Sequence, residues 1–412
     1  MTHPTRIVMK FGGTSVADMD RINAVADKIA AEARSGHEVA VVVSAMAGVT
    51  NKLVEYCREI APLHDPREYD AVVASGEQVT AGLMALALQE RGLKARSWQG
   101  WQLGVKTNEV HGNARISSIE TKDIESGFAD SEVAVVAGFQ GVTNRRRIAT
   151  LGRGGSDTSA VALAAALKAA RCDIYTDVEG ILTTDPRIVP EARKIDKISY
   201  DEMLELASLG AKVLQVRSVE MAMKHGVALQ VLSSFNDKIG SNLPGTLVTK
   251  EEELMEEPLV RGVTYSREEA KITLLNVQDI PGIAAKIFEP LTEAQIHIDM
   301  IVQNISADGK KTDMTFTVSE QDGEKALTAL KSQSFLKGAE IRMDPDVAKV
   351  SVVGIGMKSH AGVAQKMFAA LAEKGINIQV ISTSEIKISV LIERDYLELA
   401  VRSLHQAYGL EE

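Results

Sequence analysis

Two glycine-rich runs hold the residues best suited to chemistry. Gly152-Arg153-Gly154-Gly155-Ser156-Asp157-Thr158 opens onto an alanine-rich helix predicted to begin near Ser156, and Lys10-Phe11-Gly12-Gly13-Thr14-Ser15 follows the short apolar strand Ile7-Val8-Met9. Glycine lets the backbone approach an anion closely, and the N–H groups of a helix's first turn point at it with the positive end of the dipole behind them. Arg153 can grip a carboxylate or a phosphate through two parallel hydrogen bonds. Two anion cradles in one chain suggest two anionic partners that must be brought together. No Ser/His/Asp set, metal-ligand cluster or Walker A run offers a competing chemistry.

The elements that must position these loops alternate. Apolar, β-branched runs at 6–9, 39–44, 133–138, 173–176 and 228–232 read as buried parallel strands. Helix-period segments lie between them at about 18–35, 50–61, 70–91, 156–170, 200–207 and 211–225. This predicts an α/β/α sandwich over residues 1–250 whose motif loops fall where strands run into helices, the edge at which open α/β sheets bind ligands. Composition shifts at the acidic, proline-terminated run Glu251 to Pro258, so 251–262 reads as a linker.

The remainder repeats itself. Ile272-Thr273-Leu274-Leu275 precedes Pro281-Gly282-Ile283-Ala284, a helix through Phe288 and Leu291, and Ile296-His297-Ile298-Asp299; Val350-Ser351-Val352-Val353 precedes Ala361-Gly362-Val363-Ala364, a helix through Phe368 and Leu371, and Ile376-Asn377-Ile378-Gln379. The offset is 362 − 282 = 80 residues, and Phe288/Phe368, Leu291/Leu371 and Ile298/Ile378 keep it. Two βαββαβ modules follow, over 263–340 and 341–412.

Composition narrows the class. A chain of 412 residues suggests two or three domains, and a formal charge of −10 argues against a general nucleic-acid surface. Arg145-Arg146-Arg147 follows a strand and reads as a solvated hairpin tip. Cys57 and Cys172 are too few for a disulfide framework or a cysteine-rich zinc site. No apolar leader or uncharged run of about 18 apolar residues occurs, so a cytoplasmic protein without a membrane partner is expected.

Five ordered blocks then bring the chain close to a known family: Lys10 to Val16, Val43-Ser44-Ala45-Met46, Ala74-Ser75-Gly76-Glu77, Gly152 to Thr158, and Thr176-Asp177-Val178-Glu179-Gly180 with Thr184-Asp185-Pro186-Arg187. In combination, and over nearly the whole length, they resemble the aspartokinases: a three-layer α/β/α amino-acid-kinase sandwich followed by two ferredoxin-like ACT modules. The resemblance implies transfer of phosphate from ATP to the side-chain carboxylate of aspartate, giving 4-phospho-aspartate and ADP, at the head of lysine, threonine and methionine synthesis. An aspartate side chain has an unperturbed pKa near ~4 and is already an ionised nucleophile at neutral pH. No general base is required; the problem is to align two anions and neutralise the transferring group.

Residue by residue, the resemblance makes Lys10, with the Gly12 and Gly13 amides beside it, the group stabilising the transferring phosphoryl, and places Phe11 among the nucleotide contacts; a snorkelling surface lysine is the rival reading for Lys10. Lys212 matches the family's second phosphate-contacting lysine. Arg153 suits the α-carboxylate of aspartate, with Gly154, Gly155 and Ser156 beside it, and Glu77 suits the α-ammonium. Thr50 and Ser44 carry over as polar substrate or phosphate contacts, or are helix caps. Asp157 orients the two lysines rather than abstracting a proton. Thr176, Asp177 and the loop Leu182, Thr183, Thr184, Asp185, Pro186 and Arg187 resemble the adenine-nucleotide side, an Asp-Pro-Arg turn being the plainer alternative. Magnesium accompanies ATP, with no protein ligand legible and no tightly bound organic cofactor implied.

In this family paired ACT modules bind end products, commonly lysine and threonine, and members differ in how the two modules interleave, so that Leu259 to Tyr265 could belong with the second. The matching positions are Asp279, Ile280, Pro281, Gly282, Ile283 and Ala284 with Ile298, Asp299 and Gln303, and in the second module Ala364, Ile378, Gln379, Glu385 and Ile386. Asp279 or Asp299 could meet an effector's ammonium. Each module has an open sheet edge, which predicts self-association, as a homo-oligomer or with a shorter regulatory subunit started internally near Met255. The rival readings are another amino-acid kinase, acting on glutamate, acetylglutamate, carbamate or UMP, and a catalytically inactive amino-acid sensor.

Overall fold

The computed structural model describes residues 5–208, 213–236, 239–240, 243–251, 259–306, 310–358, 360 and 362–411. Lys212, Met255 and most of the expected linker lie outside them. The chain forms two units: one holds the described residues through Ile181, Lys194–Ser208 and those from 213 to 251, the other Leu182–Arg193 and those from 259 onward.

The first unit is built on an eight-stranded sheet in the order Lys197–Ser199, Thr246–Thr249, Leu229–Ser233, Arg171–Thr176, Arg6–Phe11, Glu38–Val43, Glu132–Ala137 and Lys94–Trp98. The last six run parallel, and the five expected strands fill its centre; Thr246–Thr249 runs against Leu229–Ser233. Strand alternation sorts the side chains of Arg6–Phe11. Ile7, Met9 and Phe11 enter a core with Ile22, Val25, Ile29, Ala81, Met84 and Leu88 of the helices Met19–Arg34 and Ser75–Glu90. Val8 and Lys10 therefore face the other layer, where helix Gly155–Leu167 packs. Burying a Val, Ile or Met side chain contributes roughly 1.5–3 kcal/mol, so this sorting fixes the strand's register firmly.

The helix expected over 70–91 is two. Pro66–Val73 starts on the Asp65 cap, whose carboxylate accepts the Arg67 N–H at 2.8 Å, and it stops at Ala74 before Ser75–Glu90 begins. A Cβ on Gly76 would lie 2.7 Å from that of Ala45, so the second helix starts tight against the loop after Glu38–Val43. Taken together, Pro66–Glu90 is long and apolar enough to cross a membrane by length and composition, but it contributes Ala81, Met84, Ala85 and Leu88 to the core. Four strands of two or three residues, Ile116–Ser118, Lys106–Thr107, Gln140–Val142 and Ile148–Thr150, make a second small sheet. The arginine run 145–147 sits at the tip of its last hairpin, with Arg146 at φ +59°.

The second unit is a six-stranded antiparallel sheet, Ile298–Ile305, Lys311–Ser319, Gly262–Gln278, Glu340–Val353, Lys387–Glu393 and Val380–Thr383. Its two longest strands run through both modules. Ile272 to Leu275 pair with Met343 to Glu340, and Gly262 to Ser266 pair with Val353 to Lys349. Val260 and Val263 accordingly lie in the second module's core with Val350, Val352 and Ile388, while Ile272 and Leu274 lie in the first's with Ile287 and Phe316. The second module thus takes its fourth strand from residues that precede the first, in keeping with the expectation that Leu259 to Tyr265 could join it. Leu182–Arg193 also belongs here, through Ile188 and Val189.

Candidate active site

In the first unit the carboxyl ends of the parallel strands deliver Gly12, Ser44, Gly138 and Thr176 to one edge of the sheet. Lys10, one residue before the end of its strand, sends Nζ to within 2.6 Å of Asp157 Oδ1, with both residues over nine-tenths buried. Asp157 stands in the first turn of helix Gly155–Leu167, where a carboxylate is favoured by the dipole. The amides of Ser156 and Asp157 lie too early in that helix to have intrahelical acceptors. A cation, a carboxylate to hold it and a helix start thus converge. A Cβ on Gly12 would lie 3.4 Å from Lys10 Nζ, and one on Gly13 would lie 3.0 Å from the Ala45 carbonyl, so this turn hugs its surroundings. Phe11 contributes only backbone, because its ring is buried and stacked on Tyr175 at 4.5 Å.

The glycine loop is held in an unusual conformation. Gly152 and Gly154 have φ of +78° and +68°, and a Cβ on Gly154 would lie 1.8 Å from Gln215 Cγ. Gly154→Ala is therefore expected to lower unfolding free energy by at least about 2 kcal/mol, from left-handed strain and overpacking, and to reduce turnover. Adding Gln215→Ala should restore part of the melting temperature, since it relieves the collision and leaves the strain. An unchanged melting temperature in the single variant would contradict this packing. Arg153 projects from the loop, exposed, with no ion-pair partner among the described residues.

Glu77 begins the helix beside Ala45. Its Oε1 accepts the Ala45 N–H at 3.1 Å, while Oε2 is buried with no hydrogen-bond partner among the described residues. Burial pushes its carboxyl up to about 7, against the pull of the Ala45 amide. A buried acid with one idle oxygen suits a cationic ligand, whose arrival would restore the charge that burial opposes. Ser44 is half-buried with its amide on the Phe11 carbonyl, and Thr50 lies in the first turn of Val49–Ile60, behind the left-handed Gly48. Thr176 donates its hydroxyl to Asp177 at 3.1 Å.

The second unit holds the rest. Thr183 shares a hydrogen bond with buried His405 at 2.9 Å and accepts the Arg193 N–H, and its carbonyl accepts from Val263. Asp185 accepts from Arg187 and from the Tyr265 hydroxyl at 2.7 Å, and the Arg187 guanidinium holds its carboxyl down at about 2. Leu182 and Pro186 belong to the same segment, and the buried Thr184 hydroxyl lacks a partner among the described residues. Among the effector candidates, Asp279, Ile280, Pro281 and Gly282 form the turn before helix Ile283–Glu293, with Gly282 at φ +88°; Ile283 is buried in the module core, with Ala284 packed partly against it. Asp299 is held by Lys349 at 2.7 Å, a buried ammonium that also pairs with Glu269 at 2.9 Å. Gln379, at the position equivalent to Asp299, accepts from Lys271. Gln303 and Glu385 are exposed, while Ile298, Ala364, Ile378 and Ile386 are half-buried.

What the sequence reading missed is the apparatus behind the glycine loop: Asp70, His111, Thr150 and Arg217, scattered singly through the chain, and Phe139, a bulky residue at φ +69° whose amide donates to Ser159. None sits in a local pattern that would mark it.

Residues 5–233 match the amino acid kinase family, and 275–333 and 350–408 each match the ACT domain. The chain is 52% identical over 407 residues to an aspartate kinase of Pseudomonas putida, with 98% of each chain covered. Among solved structures it is similar to E. coli aspartokinase III in complex with aspartate and ADP (R-state), at a TM-score of 0.80 and 28% identity over 97% of this chain and 99% of that one. The same enzyme in complex with lysine and aspartate (T-state) matches at a TM-score of 0.75 and 28% identity, covering 97% and 98%.

Proposed function

Because the chain belongs to the aspartokinases and is an aspartate kinase, we propose that it transfers the γ-phosphoryl group of ATP to the side-chain carboxylate of L-aspartate, giving 4-phospho-L-aspartate and ADP. The observation that carries this reading is the buried Lys10–Asp157 pair at the mouth of two glycine turns. Lys10 balances the charge on the transferring phosphoryl, and Asp157 keeps its ammonium in place. Arg153 takes the α-carboxylate of aspartate and Glu77 its α-ammonium, which leaves the side-chain carboxylate to attack in line. That carboxylate is ionised at neutral pH, so positioning and electrostatics account for the rate without a base. Magnesium accompanying the nucleotide would supply counter-charge to the phosphates, and the carboxylate and hydroxyl oxygens of Asp157, Ser44 and Ser156 are hard donors that would suit it. Thr176, Asp177, Leu182 to Arg187 and Lys212 complete the nucleotide side in this proposal. A substrate panel with ATP consumption as readout tests it: aspartate alone should be turned over, while turnover of glutamate, acetylglutamate, carbamate or UMP in its place, or of nothing, would replace it.

The proposal extends to the second unit. It holds effector lysine, threonine or both through the turn Asp279 to Ala284 and its counterpart in the second module. The aspartokinase III structure in complex with lysine supports this, as does the free carboxylate of Asp279, which has no ion pair among the described residues. Effectors inhibit to the extent that they favour one of two states. Asp279→Ala should leave uninhibited turnover within about twofold and weaken inhibition by about tenfold, near the middle of usual coupling strengths; an unchanged inhibition curve for each effector alone and for the mixture would exclude that turn. Self-association through the module edges, a place at the head of lysine, threonine and methionine synthesis, and a cytoplasmic location belong to the same proposal.

A further inference from the structure

The loop proposed to grip aspartate has little stiffness of its own. It contains three glycines, two of them left-handed, and its arginine is exposed. A bidentate grip on a carboxylate demands placement within about 0.5 Å, so the rigidity must come from what flanks the loop. Strand Ile148–Thr150 enters it, and both residues directly before Gly152 are clamped. Asp70, with no exposed surface, accepts the Thr150 hydroxyl at 2.6 Å and the Thr150 amide at 3.0 Å. The same carboxylate accepts the Gly112 amide at 3.1 Å and sits 2.7 Å from His111 Nδ1. From helix Val216–His225, Arg217 donates to the Leu151 carbonyl at 2.5 Å, to Asn113 Oδ1 at 3.0 Å and to the Ala114 carbonyl at 2.8 Å. Both clamps therefore tie the loop's entry to one platform, residues 111–114. That platform lies directly under the loop: a Cβ on Gly152 would meet Asn113 Oδ1 and the Gly112 carbonyl at 3.1 Å each.

We infer that Asp70 and Arg217 are positioning residues for the aspartate site, locking the entry to the Gly152–Gly155 loop so that Arg153 is presented at a fixed place. The inference rests on the reading of Arg153 as the grip on aspartate's α-carboxylate. Neither residue touches substrate. Each acts through backbone and hydroxyl groups of Thr150 and Leu151, and a shift of about 1 Å at such a site is enough to cost up to 10²-fold.

Steady-state kinetics of the full chain test it, with both substrates varied and thermal melting recorded alongside. Asp70→Asn keeps the side chain's size but turns an amide NH₂ toward groups that are themselves donors. It is expected to raise KM for aspartate about tenfold or more, with KM for ATP within about twofold and kcat within about threefold. Arg217→Met should do the same, and Arg217→Lys should recover part of the loss, because an ammonium can still donate to the Leu151 carbonyl. Arg153→Ala, measured in parallel, separates the two levels. If it leaves KM for aspartate unchanged, the reading of the loop fails and takes this inference with it. If it raises that KM while the Asp70 and Arg217 variants do not, the inference alone is overturned. Equal loss in both KM values and in kcat would reduce the clamps to general structural support and also overturn it. Should Asp70→Asn give no cooperative melt, Thr150→Val and the two Arg217 variants carry the same test with the same outcomes.

Discussion

Lys10→Ala is expected to lower kcat by about 10²–10³-fold, the usual loss when one preorganised donor to a developing anion is removed. KM for aspartate should move by less than about threefold, because Lys10 faces the phosphoryl group and the amino acid is held by Arg153 and Glu77. The separation follows from the strand. Alternation sends Ile7, Met9 and Phe11 into the core and Lys10 to the opposite face, where Asp157 waits 2.6 Å away. Removing the ammonium also leaves a buried carboxylate without its partner, which costs folding stability in its own right. A Lys10→Ala/Asp157→Asn pair should therefore melt higher than Lys10→Ala alone while remaining as slow. A single variant with normal turnover would remove Lys10 from the chemistry.

Glu77 should dominate the pH dependence of aspartate capture. Burial holds its carboxyl at about 7 in the free protein, so below that pH the group is neutral and cannot pair with an α-ammonium. The ratio kcat/KM for aspartate should therefore rise through about pH 7 and level off above it. At saturating aspartate the bound ammonium favours the ionised form, so kcat should show the same step at lower pH. Glu77→Gln should lose about 10²-fold in kcat/KM at pH 8 and flatten the profile. Stability runs the opposite way. The folded-state pKa lies above the ordinary glutamate value of 4.5, so the folded state binds the proton more tightly, and stability falls as pH rises across that window. Without ligand at pH 8, Glu77→Gln should melt above the parent; with saturating aspartate the parent should gain the more. A pH-independent kcat/KM in the parent would remove Glu77 from the substrate site.

Much of this was legible in the sequence, where local pattern and tertiary role coincide. Among the five central strands, a run such as Val39-Ala40-Val41-Val42-Val43 is buried on both faces and so apolar throughout. The two modules showed through an 80-residue offset, because each must bury the same helix face. The edge strand Lys94–Trp98 escaped notice because only Ala95 and Trp98 are buried in it, and strands of two or three residues are too short to carry a period. The break at Ala74 is a single residue whose backbone stays helical, at φ −70° and ψ −14°, so the period of the flanking helices runs on through it. The strand Gly262–Gln278 serves two modules at once through pairing across about 90 residues, and the family resemblance pointed only to its start, within Leu259 to Tyr265. The glycine cradles were visible; the Asp70 and Arg217 clamps behind them, joining residues 41 to 80 and 66 to 104 positions apart, were not.

The most direct test is a crystal structure of the full chain with a non-hydrolysable ATP analogue and L-aspartate bound together. The account predicts the γ-phosphate within hydrogen-bond reach of Lys10 Nζ, the α-ammonium of aspartate on Glu77, its α-carboxylate on Arg153, and its side-chain carboxylate facing the phosphorus. Either ligand bound away from the two glycine turns, or an aspartate whose side chain points away from the phosphate, would contradict it.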